Sequence, residues 1–283
     1  MSRLVIFNSI DDPDFIAYGE GRLIKSNLAF TAMLRPVTAR QLITDLWPEM
    51  NDVLRSALAA SSMGKQLRVD VDAKSADGRD LVFDVRLSAL DDRESNDNSL
   101  VVVARDVTAD RTRANILEIQ ATTDPLTGAF NRGQMEVLLD QAIRSARRRK
   151  MIGCIIFIDI DYFKTINDSH GHDEGDRILK RIARVLHENL RNSDVVGRFG
   201  GDEFAAILTD SDPDSGPMKA QQIARILNLI PANTSDIGIN VSIGLTVFPI
   251  ENDRVEDVVK RTDTAMYSAK EAQSVKVEVW ENG

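Results

Sequence analysis

A chain of 283 residues with 43% hydrophobic and 28% charged side chains has the composition of an ordinary globular protein, long enough for two domains. Its net charge of −9 argues against a general nucleic-acid binder, which needs an electropositive face to displace counterions. No apolar run approaches the roughly 20 residues that span a bilayer, and the start, "MSRLVIFNSIDD", is too short and too soon acidic for a signal peptide. No membrane span and a cytoplasmic location are therefore expected. A single cysteine, Cys154 inside the apolar run "MIGCIIFID", excludes a disulfide framework and reads as a buried thiol.

In chain order, "DFIAYGEGRLIKSN" predicts two short strands about Gly19 to Gly21. "AFTAML", "ARQLITDLW" and "MNDVLRSALAA" predict short helices. "QLRVDVDA" then alternates Leu67, Val69, Val71 and Ala73 with polar residues, the mark of a half-buried strand. Asp77 and Gly78 supply a hairpin turn, "RDLVFDVRLSAL" alternates again, "DDRESNDNS" is a loop, and "LVVVARDVT" closes the sheet. This order over residues 1–106, with its "DGR" turn and terminal "DVT", resembles a PAS sensor domain; another small α+β domain is the alternative.

Residues 107–123 predict a linker helix. Neither Gly nor Pro interrupts "TADRTRANILEIQATT", and Val107, Ala114 and Ala121 recur every seven residues with Leu117 between them. Asp110 occupies the other core position, so this seam does not hold a dimer alone, but it can pass a change between domains that dimerise elsewhere.

From 124 to 283 helices and strands alternate. "GAFNRGQMEVLLDQAIRSARRR" predicts a helix whose basic end "RSARRRK" sits where the helix dipole favours cations. A fully buried strand, "MIGCIIFIDI", follows, and then a helix over "DEGDRILKRIARVLHENLR". After it come the hairpin "VVGRFGGDEFAAIL", helix "PMKAQQIARILNLI", strand "IGINVSIGLTVF", helix "VEDVVKRTDTAMYSAKEA" and edge strand "VKVEVW". The economical fold is α+β: an N-terminal antiparallel sheet with helices, a linker helix, and a C-terminal βαββαβ unit of the ferredoxin or nucleotidyl-cyclase kind, its first strand central.

In that topology the strand ending at Asp159 neighbours the hairpin tip, so Asp159, Asp202 and Glu203 converge above one sheet edge. Carboxylates so crowded either share protons or surround a hard cation, and Mg²⁺ with oxygen ligands fits best. Gly200 and Gly201 are free to take positive φ and let a ligand lie against the backbone. Asp161, also at the strand end, reads as a turn or cap residue.

"RFGGDEF" at 198–204 is similar to the signature of the GGDEF family of diguanylate cyclases. "DPLTGAFNR", "DIDYFKTINDSHGHDEGD", "VSIGLTVFP" and "TDTAMYSAK" agree with that family in order and spacing, so the resemblance spans about 124–280. It implies condensation of two GTP into cyclic di-GMP and two pyrophosphates. Asp159, the Ile160 carbonyl and Asp202 would bind Mg²⁺, or Mn²⁺ in its place, with Glu203 at the same metal site. Asp202 would accept the proton of the attacking 3′-hydroxyl, and Lys164 would stabilise phosphate charge. Phe163, Asn167, His172, Asp176, Gly200, Gly201 and Lys270 would line the GTP site, Asn167 and Asp176 reading the guanine edge. A carboxylate suits guanine's neighbouring N1–H and N2 amino donors, whereas adenine would leave it unpaired, at a cost of about 1–3 kcal/mol.

Two positions depart from the family pattern: Ser274 stands where an arginine phosphate contact is usual, and Gly133 where the second arginine of "NRR" often is. Lys276 is a candidate to replace the lost contact. "RNSD" places Arg191 and Asp194 with five residues before the first glycine of the signature, matching the family's RxxD inhibitory site for cyclic di-GMP. Arg225 is a weaker candidate for a second product contact. Because each domain binds one GTP, the resemblance implies catalysis across a homodimer, with the sensor setting dimer geometry. All three histidines, His170, His172 and His187, lie in the second half, which excludes a His-ligated haem in the sensor; a flavin photoadduct there would need a cysteine. A small molecule, a partner protein, a non-covalent flavin or no ligand remain open for it. A non-catalytic nucleotide receptor is the second reading of the whole chain, but Asp159, Asp202 and Glu203 are all present, which favours the enzyme.

Overall fold

A computed structural model describes residues 14–17, 23–27, 29, 52, 53, 56, 66–75, 77–90, 99–211, 215–229, 239–250, 252–272 and 277–280. The Gly19 to Gly21 turn, the loop of 91–98 and positions 273–276, with Ser274 and Lys276, fall outside them, as do nearly all residues of the three short helices. The chain divides into two compact units, Met1–Leu117 and Glu118–Gly283. No described helix is long and apolar enough to cross a membrane.

The first unit carries β1 (Asp14–Ala17), β2 (Leu23–Ser26), β3 (Leu67–Lys74), β4 (Asp80–Leu90) and β5 (Ser99–Asp106). They form one sheet in the order β2-β1-β5-β4-β3, every pairing antiparallel. The alternation read from the sequence sends Val71, Phe83, Val85, Leu87, Val102 and Ala104 into one core. Asp84 is buried as well, and the Arg68 guanidinium, donating to both its oxygens at 2.8 and 2.9 Å, holds its carboxyl below the usual carboxylate range against burial. Helix α1 (Thr108–Thr122) starts where Thr108 Oγ1 accepts the Val82 amide at 2.8 Å. None of its residues is buried, and Ile116, Leu117 and Ile119 are exposed.

The second unit continues with β6 (Phe130–Asn131), α2 (Arg132–Arg149), β7 (Ile152–Ile160), α3 (Phe163–His170), α4 (His172–Asn189), β8 (Val195–Arg198), β9 (Glu203–Ser211), α5 (Ser215–Asn228), β10 (Val241–Phe248), α6 (Val255–Glu271) and β11 (Val277–Val279). Its sheet has the order β11-β10-β7-β9-β8-β6. The inner four strands are the βαββαβ core, with β7 between two antiparallel neighbours. Successive side chains of β7 leave opposite faces. Cys154, Ile156, Ile158 and Ile160 join the core that includes Ile178, Ile182, Ile223 and Leu227 of α4 and α5, while Ile155 and Phe157 pack with Met135, Leu139, Val258 and Met266 of α2 and α6. That double burial explains why this strand reads as one continuous apolar run.

Two local expectations change at the level of the fold. Helix α2 begins at Arg132, not Gly128, because Phe130 and Asn131 pair in parallel with Gly197 and Arg198, after which the Asn131 side chain caps the helix by accepting the Gln134 amide at 3.0 Å. Helix α3 goes unread in the sequence: its eight residues, "FKTINDSH", carry only Phe163 and Ile166 as apolar positions, one helical step apart, too short a stretch to separate from a loop. It is set off by Tyr162 at φ 59° and Gly171 at φ 85°.

Candidate active site

Strand register builds the acidic centre. Asp159, one residue from the end of β7, pairs directly with Glu203, the first residue of β9, and Asp202 precedes it at the hairpin tip. Because Ile155, Phe157, Ala205 and Ile207 pack on the α2 and α6 side, period-two alternation puts Asp159 and Glu203 on that same side. There Lys270 of α6 donates to Asp159 Oδ1 at 2.8 Å. Burial pushes the Asp159 carboxyl up; the Lys270 ammonium opposes this, and the charges of Asp202 and Asp161 add to it. Glu203 is likewise raised, first by burial and then by Asp159, Asp202 and Asp263.

The donor set suits the expected cation in charge and chemistry, though not as a closed cage. Among the described residues no three carboxylate, imidazole or thiol groups form a ready-made metal site, and Lys270 supplies the counter-charge to Asp159. Yet burial and neighbouring acids raise Asp159 and Glu203 against a single lysine, and all the donors are hard oxygens. Excess negative charge on oxygen ligands fits a hard divalent cation. Lys270, expected to line the GTP site, is bonded here to Asp159, the residue expected to bind the cation. Asp161, read as a turn residue, is a buried carboxylate whose Oδ1 accepts the Ser242 hydroxyl at 2.7 Å.

The hairpin tip corrects the role of its glycines. Neither Gly200 nor Gly201 has positive φ. The tip closes instead through the Phe199 amide donating to the Glu203 carbonyl at 2.8 Å. What Gly200 provides is room, since a Cβ there would lie 2.7 Å from Glu203 Oε2, whereas around Gly201 nothing comes within 4 Å. One glycine makes space for the acid, and the other leaves the backbone open to a ligand.

Sequence reasoning missed the strut behind this tip. Arg198 Nη1 donates to both oxygens of Asp124 at 3.0 and 3.1 Å, while its Nη2 reaches the Gly201 carbonyl at 2.6 Å. Asp124 in turn accepts the Thr127 amide and hydroxyl at 2.9 and 2.7 Å, so the "DPLT" turn and the GGDEF hairpin are one hydrogen-bonded unit. The signal was the Arg of "RFGGDEF" and the Asp of "DPLTG", charged residues inside otherwise structural motifs. Phe199 packs beneath on Phe157, ring centroids 4.8 Å apart.

For Asp124, burial works upward, but the bonds from Thr127 and Arg198 outweigh it and hold the carboxyl below its usual range. A depressed acid contributes stability that is fully present above its unfolded pKa of about 3.9 and is lost as pH falls through the folded value. Arg198→Ala is therefore expected to lower the melting temperature by roughly 4–8 °C near neutrality, for a loss of about 2 kcal/mol. Melting curves from neutral pH into the acid range should show this difference shrinking below about pH 4. An undiminished difference there would remove the charge pairing as its cause.

The remaining residues fall in two groups. Ile160 ends β7; Phe163, Lys164 and Asn167 lie on α3, and His172 and Asp176 open α4, with Lys164, His172 and Asp176 exposed. Arg191 and Asp194 form a separate turn before β8, closed by the Asp194 amide donating to the Arg191 carbonyl at 2.9 Å and the Arg191 amide to Asp194 Oδ2 at 3.0 Å. Asp194 thus shapes the backbone, and the Arg191 side chain is exposed.

The chain is 35% identical over 164 residues to the probable diguanylate cyclase DgcC of Escherichia coli (strain K12), covering 58% of this chain and 44% of that relative. It thus spans less than half the length of that relative. Among solved structures, the coiled coil and GGDEF domain of DgcB from Caulobacter crescentus, in complex with c-di-GMP, matches 61% of this chain and 93% of its own, at 27% identity and a TM-score of 0.57. The GGDEF domain of PA1120 (TpbB or YfiN) from Pseudomonas aeruginosa matches 56% of this chain and 94% of its own, at 33% identity and a TM-score of 0.52. A family model described as diguanylate cyclase, GGDEF domain, matches residues 121–276, more than half of the sequence. On the strength of that match and the fold it shares, the chain belongs to the GGDEF-domain family of diguanylate cyclases.

Proposed function

We propose that this chain is a diguanylate cyclase that joins two GTP into cyclic di-GMP. The observation that carries the reading is the register of Asp159 against Glu203, which sets the strand-end acids beside the open backbone of the GGDEF tip. Each 3′-oxygen attacks the α-phosphorus of the other GTP, the new P–O bond replaces the bond to pyrophosphate, and Asp202 takes the hydroxyl proton. Asp159, the Ile160 carbonyl, Asp202 and Glu203 would hold Mg²⁺ or Mn²⁺, which when bound neutralises phosphate charge. Lys164 and Lys270 add positive charge at the phosphates. Phe163, Asn167, His172 and Asp176 form the nucleoside side of the site, and Asn167 with Asp176 selects guanine.

The test is incubation of the purified chain with GTP and Mg²⁺, with chromatography of the nucleotides. Cyclic di-GMP and pyrophosphate in a one-to-two ratio are the expected products. GTP left unchanged by protein stripped of bound product, and by the separately prepared second unit, would sink the enzyme reading.

Regulation is part of the same proposal. The two GTP molecules meet across a homodimer, and a PAS-like first unit, supported by its five-stranded antiparallel sheet and responding to a small molecule or partner protein, sets the dimer geometry through α1. Cyclic di-GMP binds back at Arg191 and Asp194, where an exposed guanidinium suits bidentate pairing with phosphate or a guanine edge. Arg191→Ala is expected to raise the product concentration that halves turnover by about tenfold or more, the loss of one charge-assisted bond, with uninhibited turnover retained. Progress curves with added cyclic di-GMP measure this; unchanged inhibition would remove Arg191 from the inhibitory site.

A further inference from the structure

Helix α4 has a hole in the face it turns toward α3. At Gly175, buried four residues into α4, a Cβ would fall 2.0 Å from Asn167 Oδ1, 3.0 Å from its Cγ and 3.1 Å from Phe163 Cζ. Carbon contacts in packed interiors sit near 3.5–4.0 Å, so no side chain fits at this position unless Asn167 moves. The slot is filled by the Asn167 amide oxygen. That oxygen is buried without a hydrogen-bond partner, whereas the Nδ2 end of the same amide is neither buried nor bonded among the described residues.

The two ends of the amide are not interchangeable in this slot. An oxygen against a glycine α-carbon makes a weak C–H···O contact, while an NH₂ turned inward would set hydrogen against hydrogen and leave two donors unpaired. The slot therefore orients the amide, oxygen inward and nitrogen outward. An outward NH₂ group donates; it pairs with an oxo substituent on a base and opposes an amino substituent.

We propose that Gly175 is a specificity-determining positioning residue, whose missing side chain makes the slot that seats Asn167 Oδ1 and so presents Asn167 Nδ2 to the oxo group of a bound oxopurine nucleotide. This rests on the reading of Asn167 as a base contact and goes beyond it by assigning the orientation of that contact to a residue on the facing helix.

The test compares equilibrium binding of two ribonucleoside triphosphates to the full chain: GTP, and its 2,6-diaminopurine analogue, which keeps the 2-amino group but carries an amino group in place of the oxo group. Wild-type protein is expected to prefer GTP, and Gly175→Ala to reduce that preference by about tenfold, the worth of one hydrogen bond. In an Asn167→Ala background the same glycine change should have no further effect on the preference, because the amide it displaces is gone. Alanine is the better helix former, so Gly175→Ala should still fold; if it does not, Asn167→Ala with Gly175→Ala should fold and bind like Asn167→Ala alone. A Gly175→Ala protein that keeps the full preference, or a double variant that loses more than Asn167→Ala, overturns the inference. If Asn167→Ala itself leaves the preference unchanged, it is the base-contact reading that fails. Binding is measured without turnover, so neither result depends on the cyclase activity.

Discussion

Replacing Asp202 with alanine is expected to abolish cyclic di-GMP formation, a fall of at least about 10³-fold, while leaving the melting temperature unchanged or slightly raised. The two signs follow from one electrostatic fact. Asp202 adds like charge to a centre in which burial and neighbouring acids already push Asp159 and Glu203 upward. Removing it relieves repulsion in the fold and at the same time removes the proposed proton acceptor and cation ligand. Stability held back at a reactive centre is the usual consequence of concentrating charge for chemistry. Turnover assays and thermal unfolding of the same preparation separate the outcomes. A variant that is inactive only because it is unfolded would contradict the electrostatic account, and an active one would remove Asp202 from the reaction.

Gly244→Ala is expected to cost more stability than a methyl group added at Gly175, where the obstructing atoms belong to side chains. In the middle of β10, a Cβ at Gly244 would lie 2.2 Å from the Met266 amide nitrogen and 2.4 Å from the Thr262 carbonyl oxygen. Those atoms are helix backbone, with no flexible end to swing away, so α6 must lift off the sheet. Overpacking of this kind costs about 3 kcal/mol or more, which lowers the melting temperature of a unit this size by roughly 6–12 °C. Activity should fall with it even in folded protein, because α6 carries Lys270 to Asp159. Thermal unfolding and turnover of the same variant measure both effects; a protein that melts and turns over like wild type would show that α6 docks less closely than the contact at Gly244 implies.

Much of the site is legible in the residues because its signals are local. Asp159 ends an unbroken apolar run and "GGDEF" sits between two strand patterns, so type and spacing alone point to them. The roles of Gly200 and Gly201 are not, because a glycine pair suggests an unusual backbone angle, when here one position is needed for the Glu203 side chain and the other for open access. Helix α3 escapes because it is only eight residues long, with two apolar side chains to show its period. Arg198 and Asp124 escape because 74 residues separate the partners: each stands in a motif of its own, and nothing in either motif names the other as its partner.

Periodicity and motif spacing are properties of short stretches, so the alternation of strands and helices, the family resemblance and the carboxylates around the hairpin tip could be read along the chain. Which groups meet depends on how distant stretches pack. That Lys270 rests on Asp159, that Arg198 braces the hairpin against Asp124, that Ser242 holds Asp161, and that Gly175 makes room for Asn167 are all contacts between segments distant in the chain or on facing helices. Such contacts are set by strand register and helix docking, where a shift of one residue turns a side chain to the opposite face of the sheet.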